Sequence, residues 1–118
     1  MPKEIGALEA KGLLEAKKAV LLDVREKEEV DFSPLGHDYW IPMQEIPQRS
    51  NELPKNKKIL VACRTGGRSA GVAEYLTRQG FDCANLRGGV FEWHDKVDNS
   101  VPKYVYGYAD GKLKVKKI

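Results

Sequence analysis

The sequence predicts an α/β domain built on a mainly parallel sheet, and three observations carry that expectation. Short apolar runs of strand length, Val20–Val24, Lys58–Ala62 and Phe81–Leu86, alternate with segments of helical spacing. The first of these runs is apolar on both faces, which suits the centre of a sheet covered on each side. The glycine-rich turn Cys63-Arg64-Thr65-Gly66-Gly67-Arg68-Ser69 follows the second run. It therefore lies at the carboxyl end of a strand, where open parallel sheets bind their ligands.

Taken in order, Ile5 to Lys18 mixes Leu8, Leu13 and Leu14 with Glu and Lys, predicting one or two short helical turns broken near Gly12. Val20–Val24 is a central strand. Asp23 near its end reads as a structural carboxylate, satisfied by backbone amides or by Arg25. Glu26–Val30 is a short helical candidate, 31–36 a turn, and Tyr39–Pro42 a brief strand stopped by proline. Gln44–Glu52 can be helical despite Pro47, and Pro54–Lys57 is a surface turn. Ser69–Gln79 carries Val72, Ala73 and Leu76 on one helical face and ends at Gly80. Phe81–Leu86 is the next strand, Arg87-Gly88-Gly89 a turn, and Val90–Val97 the last helix.

The end of the chain differs in kind. Lys103–Tyr108 and Lys112–Ile118 are β-prone runs around Asp110-Gly111, a two-residue hairpin signal. The domain boundaries expected are therefore 1–101 for the α/β body and 102–118 for a basic hairpin extension. Tyr104, Tyr106 and Tyr108 stand at period two and should form the contact face, with the lysines in solvent. The expectation is a structural or docking appendage outside the active site, offering a surface for a protein acceptor or for self-association.

At 118 residues, with 42% hydrophobic and 31% charged residues, the chain can bury a core without disulfides. No apolar run approaches membrane-spanning length and no signal core opens the sequence, so the expectation is a cytoplasmic protein without a membrane partner. The net charge of +3 belongs to the tail. Residues 102–118 hold five lysines against Asp110, which leaves the first 101 residues near −1. Lysines alternating with apolar residues read as a solvated hairpin face, so no nucleic-acid partner is expected. Cys63 and Cys83 are not expected to pair, and with His37 and His94 they lack metal-ligand spacing, so no metal and no organic cofactor are expected.

Within the turn, Cys63 is the candidate nucleophile. The start of a helix gathers free backbone amides and the positive end of the helix dipole, which favours a thiolate over a thiol. Gly66 and Gly67 are expected to let the loop curl its amides inward. Arg64 and Arg68 would offer charge-assisted donors to an oxyanion or pair with carboxylates elsewhere. A nucleotide-binding P-loop is excluded, because no glycine stands at the required distance before Arg68-Ser69.

Over most of Leu21 to Trp93 the residues resemble the rhodanese-like family. The resemblance rests on Leu22-Asp23-Val24-Arg25-Glu26, Gly36-His37 with Ile41-Pro42, Val61 to Ala70, Ala73-Glu74-Tyr75-Leu76 with Gly80-Phe81, and Leu86 to Val90 with Trp93. It implies a three-layer domain with a five-stranded, mainly parallel sheet flanked by helices. It also implies a sulfurtransferase that moves sulfane sulfur from thiosulfate or a persulfide to cyanide or a thiol. Cys63 would then carry the sulfur, with Arg64, Thr65, Gly66, Gly67 and Arg68 binding around it. A loop of six residues, Cys63 to Arg68, resembles the sulfurtransferase branch, whereas the related phosphatases and arsenate reductases have one residue more. A non-catalytic binding module of the same fold is the first alternative function, and a cysteine phosphatase or arsenate reductase the second. Only Asp38-Tyr39-Trp40 separates Gly36-His37 from Ile41-Pro42, a shorter segment than the family pattern, and 102–118 extends beyond that pattern.

Overall fold

A computed structural model describes residues 3–118. Strands β1 (Lys3–Ile5), β2 (Ala19–Asp23), β3 (Tyr39–Trp40), β4 (Lys58–Ala62) and β5 (Cys83–Leu86) form one five-stranded sheet. Its order is β1-β5-β4-β2-β3, and every neighbouring pair is parallel. The helices are α1 (Ala7–Glu15), α2 (Lys27–Phe32), α3 (Ile46–Arg49), α4 (Gly67–Arg78) and α5 (Gly89–Lys96), with single 3-10 turns on either side of α3. The sequence expectation of an α/β domain with a parallel sheet between helices is met.

The strands alternate their side chains between two cores, as the pleat requires. Leu21, Leu60, Ala62, Ala84 and Leu86 face α1 and α5, packing with Ala7, Ala10, Val90 and Trp93. Leu22, Ile59, Val61 and Cys83 face the other way, toward Ile46 of α3 and Val72, Ala73 and Leu76 of α4. The three positions expected to share one face of α4 thus do so, buried to 5% exposure or less.

Two differences concern the N-terminal segment. Helix α1 runs unbroken through Gly12, because Ala7 and Ala10 bury fully while Gly12 sits with open space where a Cβ would be. The burial of one face outweighs roughly 1 kcal/mol of glycine helix cost. Leu8 is 63% exposed and takes no part in that face. Strand β1 was not legible, since three residues with only Ile5 buried carry no periodicity. Among the described residues, no helix is long and apolar enough to cross a membrane.

Strands β6 (Tyr104–Ala109) and β7 (Lys112–Lys117) pair antiparallel as a separate two-stranded sheet. Asp110 and Gly111 have φ of 54° and 74°, the two positive angles that a two-residue hairpin turn with the sheet's twist demands. Tyr106 lies opposite Val115 and Tyr108 opposite Leu113, so the three tyrosines share a face with those residues. They do not bury equally: Tyr104 is fully buried, Tyr106 is 42% exposed and Tyr108 73% exposed. An isolated hairpin is marginal in water. This one is anchored through Tyr104 and the buried Leu113.

Candidate active site

Cys63 follows the last residue of β4 and is 1% exposed. Its Sγ accepts from the Gly66 amide at 3.1 Å and the Ser69 amide at 3.4 Å, with Ser69 Oγ at 3.3 Å. The sulfur therefore faces the N-terminus of α4, where unpaired amides and the helix dipole favour negative charge. Of the loop positions expected to bind around it, only Gly66 donates its amide to the sulfur. The second amide belongs to Ser69, one residue beyond the loop, and Thr65 is exposed.

The two loop glycines are not equivalent. Gly66 has φ of 104°, and a Cβ there would stand 3.2 Å from the Gly88 amide nitrogen. Gly67 has neither a positive φ nor any atom near its Cβ position, so the expectation that both glycines are needed holds for Gly66 alone. The second requirement for glycine lies elsewhere, at Gly89, where φ is 52° and a Cβ would fall 2.5 Å from the Cys63 carbonyl oxygen. That close approach lets Val90 N donate to the Cys63 carbonyl at 3.1 Å and Phe91 N to the Arg64 carbonyl at 3.3 Å. The start of α5 thereby ties down the first two residues of the loop. Gly67→Ala should stabilise the fold by about 0.4–1 kcal/mol through the unfolded chain. Gly89→Ala should destabilise it by at least about 1–3 kcal/mol. Urea unfolding of the two variants checks both signs, and a tolerated Gly89→Ala would contradict the tight approach.

Ser69 and Asn85 were not singled out as site residues from sequence. The Asn85 amide nitrogen donates to the Gly66 carbonyl at 3.1 Å and to Glu4 Oε2 at 2.8 Å. Both partners are acceptors, which fixes the amide orientation and turns its oxygen toward Ser69 Oγ at 2.5 Å. Ser69 Oγ therefore stands between Asn85 Oδ1 and Sγ, within donating distance of each. The available signal was Asn85 itself, a polar residue inside the otherwise apolar run Ala84-Asn85-Leu86.

The arginines are engaged by the protein. Arg68 makes two bonds to Glu29, at 2.7 and 2.8 Å, an arrangement that raises its pKa further. Burial would raise the Glu29 carboxyl, but hydrogen bonds from Arg68, from the Glu26 backbone side and from Tyr104 bring it below its ordinary value. Arg64 Nε donates to the Tyr104 carbonyl at 2.9 Å. Its guanidinium lies 4.5 Å from the Phe91 ring centroid and 5.6 Å from those of Tyr104 and Tyr106. The Tyr106 ring also lies 5.4 Å from Arg68. The hairpin thus packs on the protein's own body, against the Cys63 loop. Its placement was not legible because these contacts join residues about 40 positions apart.

Behind the loop runs a buried ionic network. Arg25, fully buried, donates to Asp23 at 2.7 Å, to the Ser33 carbonyl at 2.7 Å and to Tyr104 Oη at 3.1 Å. Tyr104 in turn donates to Glu29 at 2.9 Å, and Glu29 holds Arg68. The reading of Asp23 as a carboxylate satisfied by Arg25 is correct, and the pair is one end of a chain that reaches the loop. The shortened segment contributes Trp40, whose Nε1 donates to the Arg25 carbonyl at 2.8 Å. A cavity of about 180 Å³ lies between this body and the hairpin, lined by Val24, Met43, Arg68, Tyr106, Tyr108 and Leu113 among others. A larger concavity of about 480 Å³ lies near Leu14, Leu35 and Trp93, and no residue of the Cys63 loop lines it.

Comparison with known proteins adds to this geometry. The family profile described as Rhodanese-like domain matches residues 7–96. YtwF of Bacillus subtilis, assigned by name as a sulfurtransferase, is 39% identical over 96 residues, covering 80% of this chain and 93% of its own. The thiosulfate sulfurtransferase GlpE of Coxiella burnetii is 32% identical over 94 residues, covering 79% and 88%. Among solved structures, a rhodanese-like domain protein from Staphylococcus aureus superposes with a TM-score of 0.73 at 38% identity, covering 80% of this chain and 94% of that one.

Proposed function

The chain belongs to the rhodanese-like family, and we propose that it is a sulfurtransferase carrying sulfane sulfur as a persulfide on Cys63. The observation that carries this reading is the pair of amides, Gly66 and Ser69, aimed at Sγ where α4 begins. Names of relatives support sulfur transfer, and one names thiosulfate. The division into a catalytic body, 1–101, and an extension, 102–118, is part of the same reading, supported by a family match that ends at residue 96.

The reaction is a double displacement. The Cys63 thiolate attacks the outer sulfur of thiosulfate or a persulfide, forming an S–S bond. The donor's own bond to that sulfur breaks and its electron pair leaves with the first product, sulfite in the case of thiosulfate. Cyanide or a thiolate then attacks the outer sulfur of the Cys63 persulfide and returns the cysteine as thiolate. The protein's share is electrostatic: fixed amide donors meet the anion without reorganising, in a site nearly closed to water. Gly66, with Arg64, Thr65, Gly67 and Arg68, frames the sulfur, and Arg68 adds a positive charge felt at Cys63. The chemistry needs no metal or organic cofactor. We assign the protein to the cytoplasm, with small sulfur donors and thiophilic acceptors as partners.

Intact mass before and after incubation with thiosulfate, and separately with an organic persulfide, tests this. A gain of one sulfur atom, removed by cyanide, is the expected result. A protein that gains no sulfur from either donor would be a binding module instead.

A further inference from the structure

We infer that this site is built for organic, singly charged sulfane-sulfur donors, such as alkyl or aryl thiosulfonates and organic persulfides, in preference to the thiosulfate dianion. The inference rests on the sulfurtransferase reading above and adds the donor class, which that reading leaves open.

The first argument is charge. A dianion approaching an anionic sulfur needs free positive charge, and the loop has two guanidinium groups in sequence. Neither is free. Arg68 is matched by a two-bond pair to Glu29, and Arg64 is bonded to the Tyr104 carbonyl beneath the rings of Phe91, Tyr104 and Tyr106. The Tyr106 ring lies against both. The cavity beside Arg68 adds two carboxylates, Glu26 and Glu29, against that one cation. A second negative charge on a donor held in this cavity therefore meets two carboxylates against one guanidinium.

The second argument is shape. The same cavity is apolar over much of its wall, with Val24 and Met43 from the body and Tyr106, Tyr108 and Leu113 from the hairpin. It reaches the Cys63 loop through two of its walls, Arg68 and Val24. Val24 N donates to the carbonyl of Ala62, the residue before Cys63, and Arg68 closes the Cys63 loop. A volume of about 180 Å³ accepts a small hydrocarbon group, while thiosulfate has none to place there. Three of its walls lie beyond residue 96, outside the region that the family match covers.

The half-reaction with a thiosulfonate is balanced. The Cys63 thiolate bonds to the terminal sulfur, the bond between that sulfur and the sulfonyl sulfur breaks, and a sulfinate leaves with the electron pair. No proton and no outside oxidant is involved.

The test is single-turnover persulfide formation on the full chain, followed by intact mass, with thiosulfate and with methane-, ethane- and benzenethiosulfonate. The rate constant per donor concentration should rise along the organic series as the group fills the cavity. Tyr106→Ala removes a wall and uncovers both guanidinium groups. It should slow benzenethiosulfonate at least tenfold and speed thiosulfate at least threefold. Tyr108→Ala, at a more exposed position, should slow benzenethiosulfonate alone and guards against a folding defect at Tyr106. A flat organic series, or a Tyr106→Ala effect of the same sign and size on both donors, overturns the inference while leaving Cys63 sulfur transfer intact. Failure of every donor to load sulfur would instead count against the sulfurtransferase reading itself.

Discussion

Cys63→Ser should gain no sulfur from any donor and form no thiocyanate, whereas Cys83→Ala should load sulfur like the parent chain. The two cysteines are both buried, so exposure does not distinguish them. Their surroundings do. Cys63 receives two backbone amides and lies within the field of Arg68. Cys83 sits inside β5 opposite Ile59, where burial, with the nearby Asp82 charge, pushes its thiol up to about 12. At pH 8 a thiol with that value is ionised in only about one molecule in 10⁴, and sulfur transfer proceeds through the thiolate. A serine hydroxyl at position 63 lacks the ionisation and the polarisability to take up sulfur. The intact mass after thiosulfate or thiosulfonate treatment decides it. Loss of loading in Cys83→Ala, with the fold retained by circular dichroism, would move the sulfur to the other cysteine.

The second large effect is on stability. Arg25→Leu should destabilise the fold by about 3–5 kcal/mol, the usual result of removing one partner from a buried pair. Asp23 is fully buried and faces Arg25 at 2.7 Å, so the substitution leaves a carboxylate in the core with its main partner gone. The Ser33 carbonyl and the Tyr104 hydroxyl lose a donor as well. With a total stability of only about 5–15 kcal/mol for a typical domain, a loss of this size would shift the urea midpoint far to the left. Asp23→Leu together with Arg25→Leu should recover part of the loss, because the uncompensated charge is then absent. An Arg25→Leu protein within 1 kcal/mol of the parent would mean that water reaches Asp23.

The parts legible in the sequence are those set by neighbours along the chain. Strand β4 was placed to the residue because Lys58–Ala62 is a continuous run closed by the Cys63 turn. The hairpin was legible from Asp110-Gly111, a pair whose backbone angles belong to its own residue types. Cys63 and Gly66 were found together because strand, turn and helix are contiguous. What escaped depends on residues brought together from afar. Ser69 was read as the first residue of a helix, and only Asn85, on the adjacent strand, gives its hydroxyl a second partner. Arg64 and Arg68 were read as donors to an oxyanion or to carboxylates elsewhere, and only the folded positions of Tyr104 and Glu29 show which partners they take. Gly89 was read as a turn residue, while its need for glycine comes from the Cys63 carbonyl it meets across the loop.

The bond between Arg25 and Tyr104 spans 79 residues, and this sets an order of assembly. The two strands of the hairpin can zip about their own turn in microseconds, as local pairs do. Docking is another matter, since Tyr104 must find the guanidinium of Arg25, two residues past the end of β2. Until it does, Arg25 and Glu29 keep their water on that side, so the last water leaves this cluster only when the chain's final segment seats. Long-range closures of this kind are slow relative to helix formation. Docking of the hairpin is accordingly a late step of folding and its release an early step of unfolding. In native-state hydrogen exchange, the amides of β6 and β7 should therefore exchange through openings of lower free energy than those of β4.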